Sequence, residues 1–224
     1  MLDPQWTAVD RALAEWLVPE DEALEAALDA ATRAGLPAIH VSPTQGKWLQ
    51  LIAAAIGARR ILEIGTLAGY STIWLGRALP ADGRLVTLEI DPGRAALARE
   101  NLERAGLGSV VEVRVGAALA SLERLREEQA APFDFVFIDA DKVHCAEYLD
   151  RSTALARRGA VIVVDNVVRN GRVVDAESDD PNVIGVRRML ERLSADPRLD
   201  ASALQTVGAK GYDGMVMAVV RSIG

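Results

Sequence analysis

The sequence predicts a doubly wound α/β fold, a largely parallel sheet covered by helices on both faces. Three observations carry this expectation. Five short apolar runs, at 61–65, 85–90, 110–115, 133–138 and 160–164, have the length and composition of strands. Helical stretches at 70–79, 93–105, 119–128 and 143–156 lie between them, and apolar strands that alternate with helices belong to a parallel sheet buried on both sides. A further helix, at 181–193, leads to two last runs near 203–207 and 215–220, joined only by Gly208-Ala209-Lys210-Gly211-Tyr212-Asp213-Gly214. So short a link cannot make a parallel crossover, so the final pair is expected to be antiparallel.

The first forty residues read as helical, because Leu13, Trp16 and Leu17 recur at helical spacing, as do Leu24, Ala27 and Leu28. At Ser42-Pro43-Thr44-Gln45 a helix start is spelled out. Serine caps, proline fits the first helical position and glutamine closes a capping box. That helix is expected to reach Ile56 or Gly57. There is no internal repeat, low-complexity tract or Gly/Ser linker. One domain over 1–224 is therefore expected, with 1–40 as a helical cover or dimer segment and 41–224 as the core. Plain core packing is expected for Trp6 and Trp16.

Half of the 224 residues are hydrophobic and a quarter are charged, an ordinary balance for a globular chain. A single cysteine, Cys145, allows no internal disulfide and favours a reducing, cytoplasmic setting. The net charge of −7 argues against a broad surface for nucleic acid or anionic lipid. The opening MLDPQWTAVDRALAEWLVPE carries acids throughout and reads as neither a secretory signal nor a membrane span.

Ligands of such sheets bind at the carboxyl ends of the strands. The first strand ends in Glu63-Ile64-Gly65-Thr66-Leu67-Ala68-Gly69-Tyr70-Ser71. Its glycines permit a tight turn before a helix N-terminus, which suits an anionic group such as a carboxylate, with Ser71 as a further donor. Glu89 ends the second strand, 24 positions after Gly65, where an acid can accept hydrogen bonds from both ribose hydroxyls. The pattern is E-x-G-x-x-x-G rather than G-x-G-x-x-G, with Thr66-Leu67 where a pyrophosphate loop needs its second glycine. An S-adenosylmethionine pocket is favoured over a dinucleotide one.

Two further strand ends carry acids. Phe137-Ile138-Asp139-Ala140-Asp141-Lys142 closes one apolar run and Val163-Val164-Asp165-Asn166 the next. Such residues often cap helices or solvate strand ends. Adjacent parallel strands, however, would bring Asp139, Asp165 and Asn166 together, and two carboxylates with an amide oxygen make a hard site for Mg²⁺ or Ca²⁺. His144 and Cys145 read as helix residues without a catalytic role.

The segments VSPTQGKWLQ, ILEIGTLAGYS, DGRLVTLEIDP, FDFVFIDADK, VVDNVV and GYDG together resemble the cation-dependent O-methyltransferases, the family of the catechol and caffeoyl-CoA enzymes. The resemblance implies a seven-stranded, Rossmann-like methyltransferase sheet with N-terminal helices, a homodimer, S-adenosyl-L-methionine and a divalent cation, Mg²⁺ foremost with Ca²⁺ or Mn²⁺ as alternatives. It places metal ligands at Asp139, Asp165 and Asn166. Cofactor contacts fall on Val41, Glu63, Gly65, Thr66, Ser71, Glu89, Ala118, Asp139 and Asp141. Catalysis falls to Lys142 with Asp139, and substrate contact to Asp139 and Asn170. The chain departs from relatives at Gly116-Ala117-Ala118, where many have an acid. It departs again at Val167-Val168-Arg169-Asn170-Gly171, which lacks the tryptophan of the plant enzymes, and in the charged stretch 175–180.

The chemistry this implies is methyl transfer to one hydroxyl of a phenolic small molecule bearing vicinal hydroxyls. A cation held by the strand-end acids stabilises the phenolate and orients it. Lys142 accepts the proton, its charged form disfavoured by the neighbouring dication. Near-attack placement, with reacting atoms about 3 Å apart, supplies much of the rate. Three rivals compete: a tRNA hydroxyuridine O-methyltransferase of the same family, an NAD-dependent oxidoreductase, and a cofactor-binding module without catalysis.

Overall fold

The computed structural model describes residues 3–19, 21–130 and 132–222. Seven strands form one sheet: β1 Arg60–Ile64, β2 Arg84–Glu89, β3 Val111–Val115, β4 Phe133–Ile138, β5 Ala156–Asp165, β6 Leu199–Gly208 and β7 Gly211–Val220. Their order is β3-β2-β1-β4-β5-β7-β6, parallel from β3 to β5 and antiparallel through β7 and β6. The expected doubly wound sheet and its antiparallel tail are both present.

Among the described residues eight α-helices accompany the sheet: α1 Pro4–Leu17, α2 Glu22–Arg33, α3 Pro43–Ala55, α4 Tyr70–Gly76, α5 Pro92–Arg104, α6 Ala118–Glu127, α7 Cys145–Leu155 and α8 Pro181–Ala195. The central strands are apolar on both faces, so alternate residues feed two cores. Leu62, Ile64, Val136 and Ile138 pack toward α6, α7 and α8. Ile61, Phe135 and Phe137 pack toward α2, α3, α4 and α5. Phe135 and Phe137 are fully buried, and removing either ring would cost about 3–5 kcal/mol.

Local signals set the helix starts. Ser42 caps α3 by accepting from Gln45 N at 3.2 Å, and Gln45 Oε1 returns an acceptor to Ser42 N at 2.9 Å. The capping box is therefore formed as expected. Asp21, Asp91 and Asp180 cap α2, α5 and α8 in the same manner. Among the described residues no helix is long and apolar enough to cross a membrane.

Four local expectations need correction. The last two strands are longer than expected, and only Ala209 and Lys210 join them. The GYDG segment looks like a turn, yet it lies within β7, with Gly214 paired to Gln205. A β-carbon at Gly214 would come within 2.5 Å of the Leu204 carbonyl, so glycine there serves close strand approach. β5 begins at Ala156, where Arg157 reaches across to the Asp134 carboxylate of β4 at 2.5 Å. Trp16 is 75% exposed, against the core packing expected of it, and Trp6 is only partly buried. α1 buries none of its residues, and Leu13, Trp16 and Leu17 of its apolar stripe stay exposed.

Candidate active site

Leu88, Ile64, Ile138 and Val164 stand in one row across β2, β1, β4 and β5. The next residue of each strand is therefore Glu89, Gly65, Asp139 and Asp165, all at one edge of the sheet. A cavity of about 680 Å³ opens over this edge. Ala27, Leu28 and Ala31 of α2 form part of its wall, together with Val41 and Ala118.

The loop after β1 forms the cavity floor. Gly65 has φ +99°, and a β-carbon on it would lie 2.1 Å from the Asp139 carbonyl oxygen. No other residue fits that approach. Glu63 lies beneath the loop, fully buried, and accepts from Ser71 Oγ and Thr87 Oγ1, each at 2.7 Å, and from Thr72 Oγ1. Burial pushes its carboxyl up to about 7, against the pull of the three hydroxyls. Glu63 is not a lining residue, and the Ser71 hydroxyl is committed to it. The expected ligand contact of Glu63 thus becomes support of the loop, while Ser71 and Thr66 still line the cavity. The Thr66 hydroxyl turns inward to Thr87 Oγ1 at 2.5 Å.

Glu89 is almost wholly buried and held by two backbone donors, Leu67 N at 2.8 Å and Asp91 N at 3.0 Å. A carboxylate has further lone pairs beyond these two bonds. Asp141 also lines the cavity and accepts from Tyr148 OH at 2.5 Å, His144 Nδ1 at 2.6 Å and His144 N at 3.1 Å. Burial works to raise its pKa, and these bonds outweigh burial and hold it below the usual range. His144, expected to be idle, positions this acid.

Lys142 is buried, with Nζ donating to Asp139 Oδ1 at 3.0 Å. Burial disfavours its charge, but Asp139 and Asp165 prevail and hold its pKa above the ordinary value. Asp165 is pushed up to about 7 by burial and by Asp139, with Lys142 pulling the other way. Gly185 of α8 backs this cluster, since a β-carbon there would meet the Lys142 carbonyl at 2.0 Å.

Among the described residues no three of His, Cys, Asp and Glu are grouped as metal ligands. Asp139 and Asp165 make two acids, and the third hard oxygen available is the amide of Asn166, held at φ +58° beside the cavity. Two carboxylates close enough to perturb each other, with the Lys142 ammonium bonded to one of them, suit a hard dication. The donor set fits.

The model of the O-methyltransferase family matches residues 14–220. The chain belongs to the O-methyltransferase family. A catechol O-methyltransferase of Niastella koreensis is 52% identical over 214 residues, which cover 96% of this chain and 97% of that one. Another, of Mycobacterium tuberculosis, is 54% identical over 95% of each chain. The crystal structure of the O-methyltransferase from Bacillus cereus in complex with SAH matches with a TM-score of 0.96 and 55% identity, covering 97% of this chain and 99% of that one.

In this O-methyltransferase the loop after β5 departs from the sequence expectation. Asn170 is exposed and does not line the cavity, whereas Arg169 does. Asp213 of β7 shapes the loop, its Oδ1 accepting from Val168 N at 2.9 Å, Arg169 N at 3.0 Å and Gly214 N at 2.9 Å. Sequence alone marked GYDG as a motif without showing that its acid serves a loop 45 residues away.

Proposed function

We propose that this O-methyltransferase, drawing its methyl group from S-adenosylmethionine, methylates one hydroxyl of a catechol-type aromatic with the help of a divalent cation held by Asp139, Asp165 and Asn166. The observation that carries the reading is the cluster of Lys142, Asp139 and Asp165 at the row of strand ends that also holds Gly65 and Glu89. The relatives named catechol O-methyltransferase support the substrate class.

Each residue has a task. Glu89 receives the ribose hydroxyls, and the 65–71 loop and Val41 enclose the rest of the cofactor, with Asp141 and Ala118 on the adenine side. Mg²⁺ at the Asp139, Asp165 and Asn166 oxygens would supply Lewis-acid stabilisation of a phenolate and a template for two vicinal oxygens. Lys142 takes the phenol proton at Nζ. Asp139 and Asp165 hold its ammonium in this state; a cation taking up their charge would weaken that hold, so that Nζ gives its own proton to solvent before it receives that of the phenol. α2 keeps water from the transferred methyl.

The chain acts as a single-domain cytoplasmic enzyme and as a homodimer. The uncovered apolar residues Leu13, Trp16 and Leu17 of α1 and Leu204 and Val207 of β6 support the pairing.

The test is transfer of labelled methyl from S-adenosylmethionine to a panel of catechols and to bulk tRNA, with and without chelator. Monomethylated catechol is expected, lost with chelator and regained with Mg²⁺. Chelator-insensitive transfer removes the metal assignment, and label in tRNA alone moves the enzyme to a nucleic-acid substrate.

A further inference from the structure

Arg169 and Arg94 are the charged side chains of the cavity without a side-chain partner among the described residues, and of the two Arg169 alone has a buried donor left unmatched. Lys142 is bonded to Asp139, Asp141 to Tyr148 and His144, and Glu89 to two backbone donors. Arg169 lines the same cavity, yet its Nε is buried without a hydrogen-bond partner. Among the described residues no acid pairs with its guanidinium, although nearby Arg172 is paired with Asp180 at 2.8 Å. Buried donors are rarely left unmatched in folded proteins, and a guanidinium offers a rigid fork for a planar oxyanion.

The backbone reinforces the point. Arg169 and Asn170 have φ of +57° and +54°, followed by Gly171 at +82°. Two successive non-glycine residues in the left-handed region are held there only because the surrounding structure insists, and Asp213 is the clamp. The clamp places Arg169 on the cavity wall and leaves Asn170 outside it.

Position identifies the ligand end. The cavity runs along the sheet edge from Gly116 and Glu89 past Gly65 and Asp139 to Asn166 and Arg169. Arg169 therefore lies at the far end from the ribose acceptor, beyond the expected cation ligands, where a substrate ring would extend.

We infer that Arg169 selects the substrate by binding a carboxylate on its ring, so that the preferred acceptor is a catechol acid rather than a neutral catechol. The inference rests on the catechol reading above. A carboxylate lying on the terminal guanidinium nitrogens, which unlike the enclosed Nε can face the cavity, pairs a charge that no described acid pairs. It also orients the ring, deciding which of two adjacent hydroxyls meets the methyl group.

The experiment compares 3,4-dihydroxybenzoate with 3,4-dihydroxybenzyl alcohol as acceptors for the wild-type enzyme and Arg169→Gln, with Mg²⁺ present, and measures the affinity of each protein for S-adenosylhomocysteine. The wild type is expected to favour the acid by about tenfold or more in kcat/KM, chiefly through KM, as one charge-assisted pair provides. Arg169→Gln is expected to bring that ratio close to one while its S-adenosylhomocysteine affinity stays within about twofold, which also shows that the variant is folded. A ratio near one in the wild type overturns the inference and leaves catechol methylation standing. So does a ratio that survives the substitution. Cofactor affinity that falls with the acid preference reassigns Arg169 to the cofactor. No transfer to either acceptor brings down the catechol reading and this inference together.

Discussion

Gly185 of α8 lies directly against the main chain of Lys142, with no room for a β-carbon between them. The hypothetical atom would sit 2.0 Å from the Lys142 carbonyl oxygen and 2.9 Å from Val143 Cα. Backbone cannot swing aside as a side chain can, so Gly185→Ala must push α8 or the Lys142 segment away. A strain of about 1–3 kcal/mol is expected from such overpacking. Because the displaced segment carries Lys142, the proposed proton acceptor, turnover should fall about tenfold or more while affinity for S-adenosylhomocysteine is kept. Lys142→Ala sets the lower limit, keeping cofactor affinity and losing most turnover. Steady-state rates beside calorimetric titration separate the two quantities; full turnover in Lys142→Ala would remove Lys142 from the mechanism, and in Gly185→Ala would show that the packing yields without moving Nζ.

Asp213 governs the loop that carries Asn166 and Arg169 through three bonds to a single oxygen. Asp213→Ala frees three backbone donors, two of them holding residues that enter a strained left-handed turn. A loss of about 2–4 kcal/mol in unfolding free energy is expected, with a larger loss of activity than of cofactor affinity. Asp213→Asn keeps an acceptor oxygen and should retain more of both. Urea unfolding alongside kinetic assay checks the order wild type, Asn, Ala; an Ala variant as active as the wild type would show that the turn holds its shape unaided.

The two scales of the molecule differ in how legible they are. The central sheet could be read from sequence because its strands are apolar on both faces and bounded by turns, and the register then brings Asp139 and Asp165 together without further information. β6 is harder to see, since most of its residues are exposed and small or polar, so nothing in its pattern distinguishes an edge strand from a loop. The site shows the same division. Positions at strand ends were visible, but the work of Glu63 was not. Its ligands are hydroxyls on α4 and β2, and only the folded register turns an apparent ligand contact into a buried support. Arg169 and Asn170 are neighbours in a loop, and only backbone dihedrals decide which of them faces the cavity.

The apolar stripe on α1 and the outer face of the β6–β7 hairpin share one side of the molecule, and Asp10 joins them by accepting from Ala209 N at 3.0 Å and Thr44 Oγ1 at 2.8 Å. A second cavity of about 440 Å³ lies there, lined by Leu13, Trp48, Leu204 and Met217. Leu204, 64% exposed, joins the exposed Leu13, Val207 and Met217 around that cavity, and such a contiguous apolar patch marks an interaction surface. Light scattering should give twice the 24.0 kDa of one chain, and Leu204→Glu should shift the population toward the single chain without unfolding it. A wild type that scatters as one chain at all concentrations would leave this face unexplained.

Glu63 should make the stability of the ligand-free enzyme fall as pH rises. Its carboxyl titrates near 4.5 when unfolded and at about 7 when folded, because burial outweighs its three hydroxyl partners. Between those values the folded state holds a proton that the unfolded state has lost, so unfolding free energy decreases with pH across that window. The contribution is fully present below 4.5 and gone above 7, a total of about 3 kcal/mol. Glu63→Gln cannot ionise. Its altered hydrogen bonding shifts stability by an amount independent of pH, which cancels when two pH values are compared. Denaturant unfolding of wild type and Glu63→Gln at pH 5 and pH 8 should therefore show the variant gaining on the wild type by about 2–3 kcal/mol over that interval. A constant difference would mean that Glu63 ionises as an ordinary surface acid does, and that the loop rests on a carboxylate charged throughout.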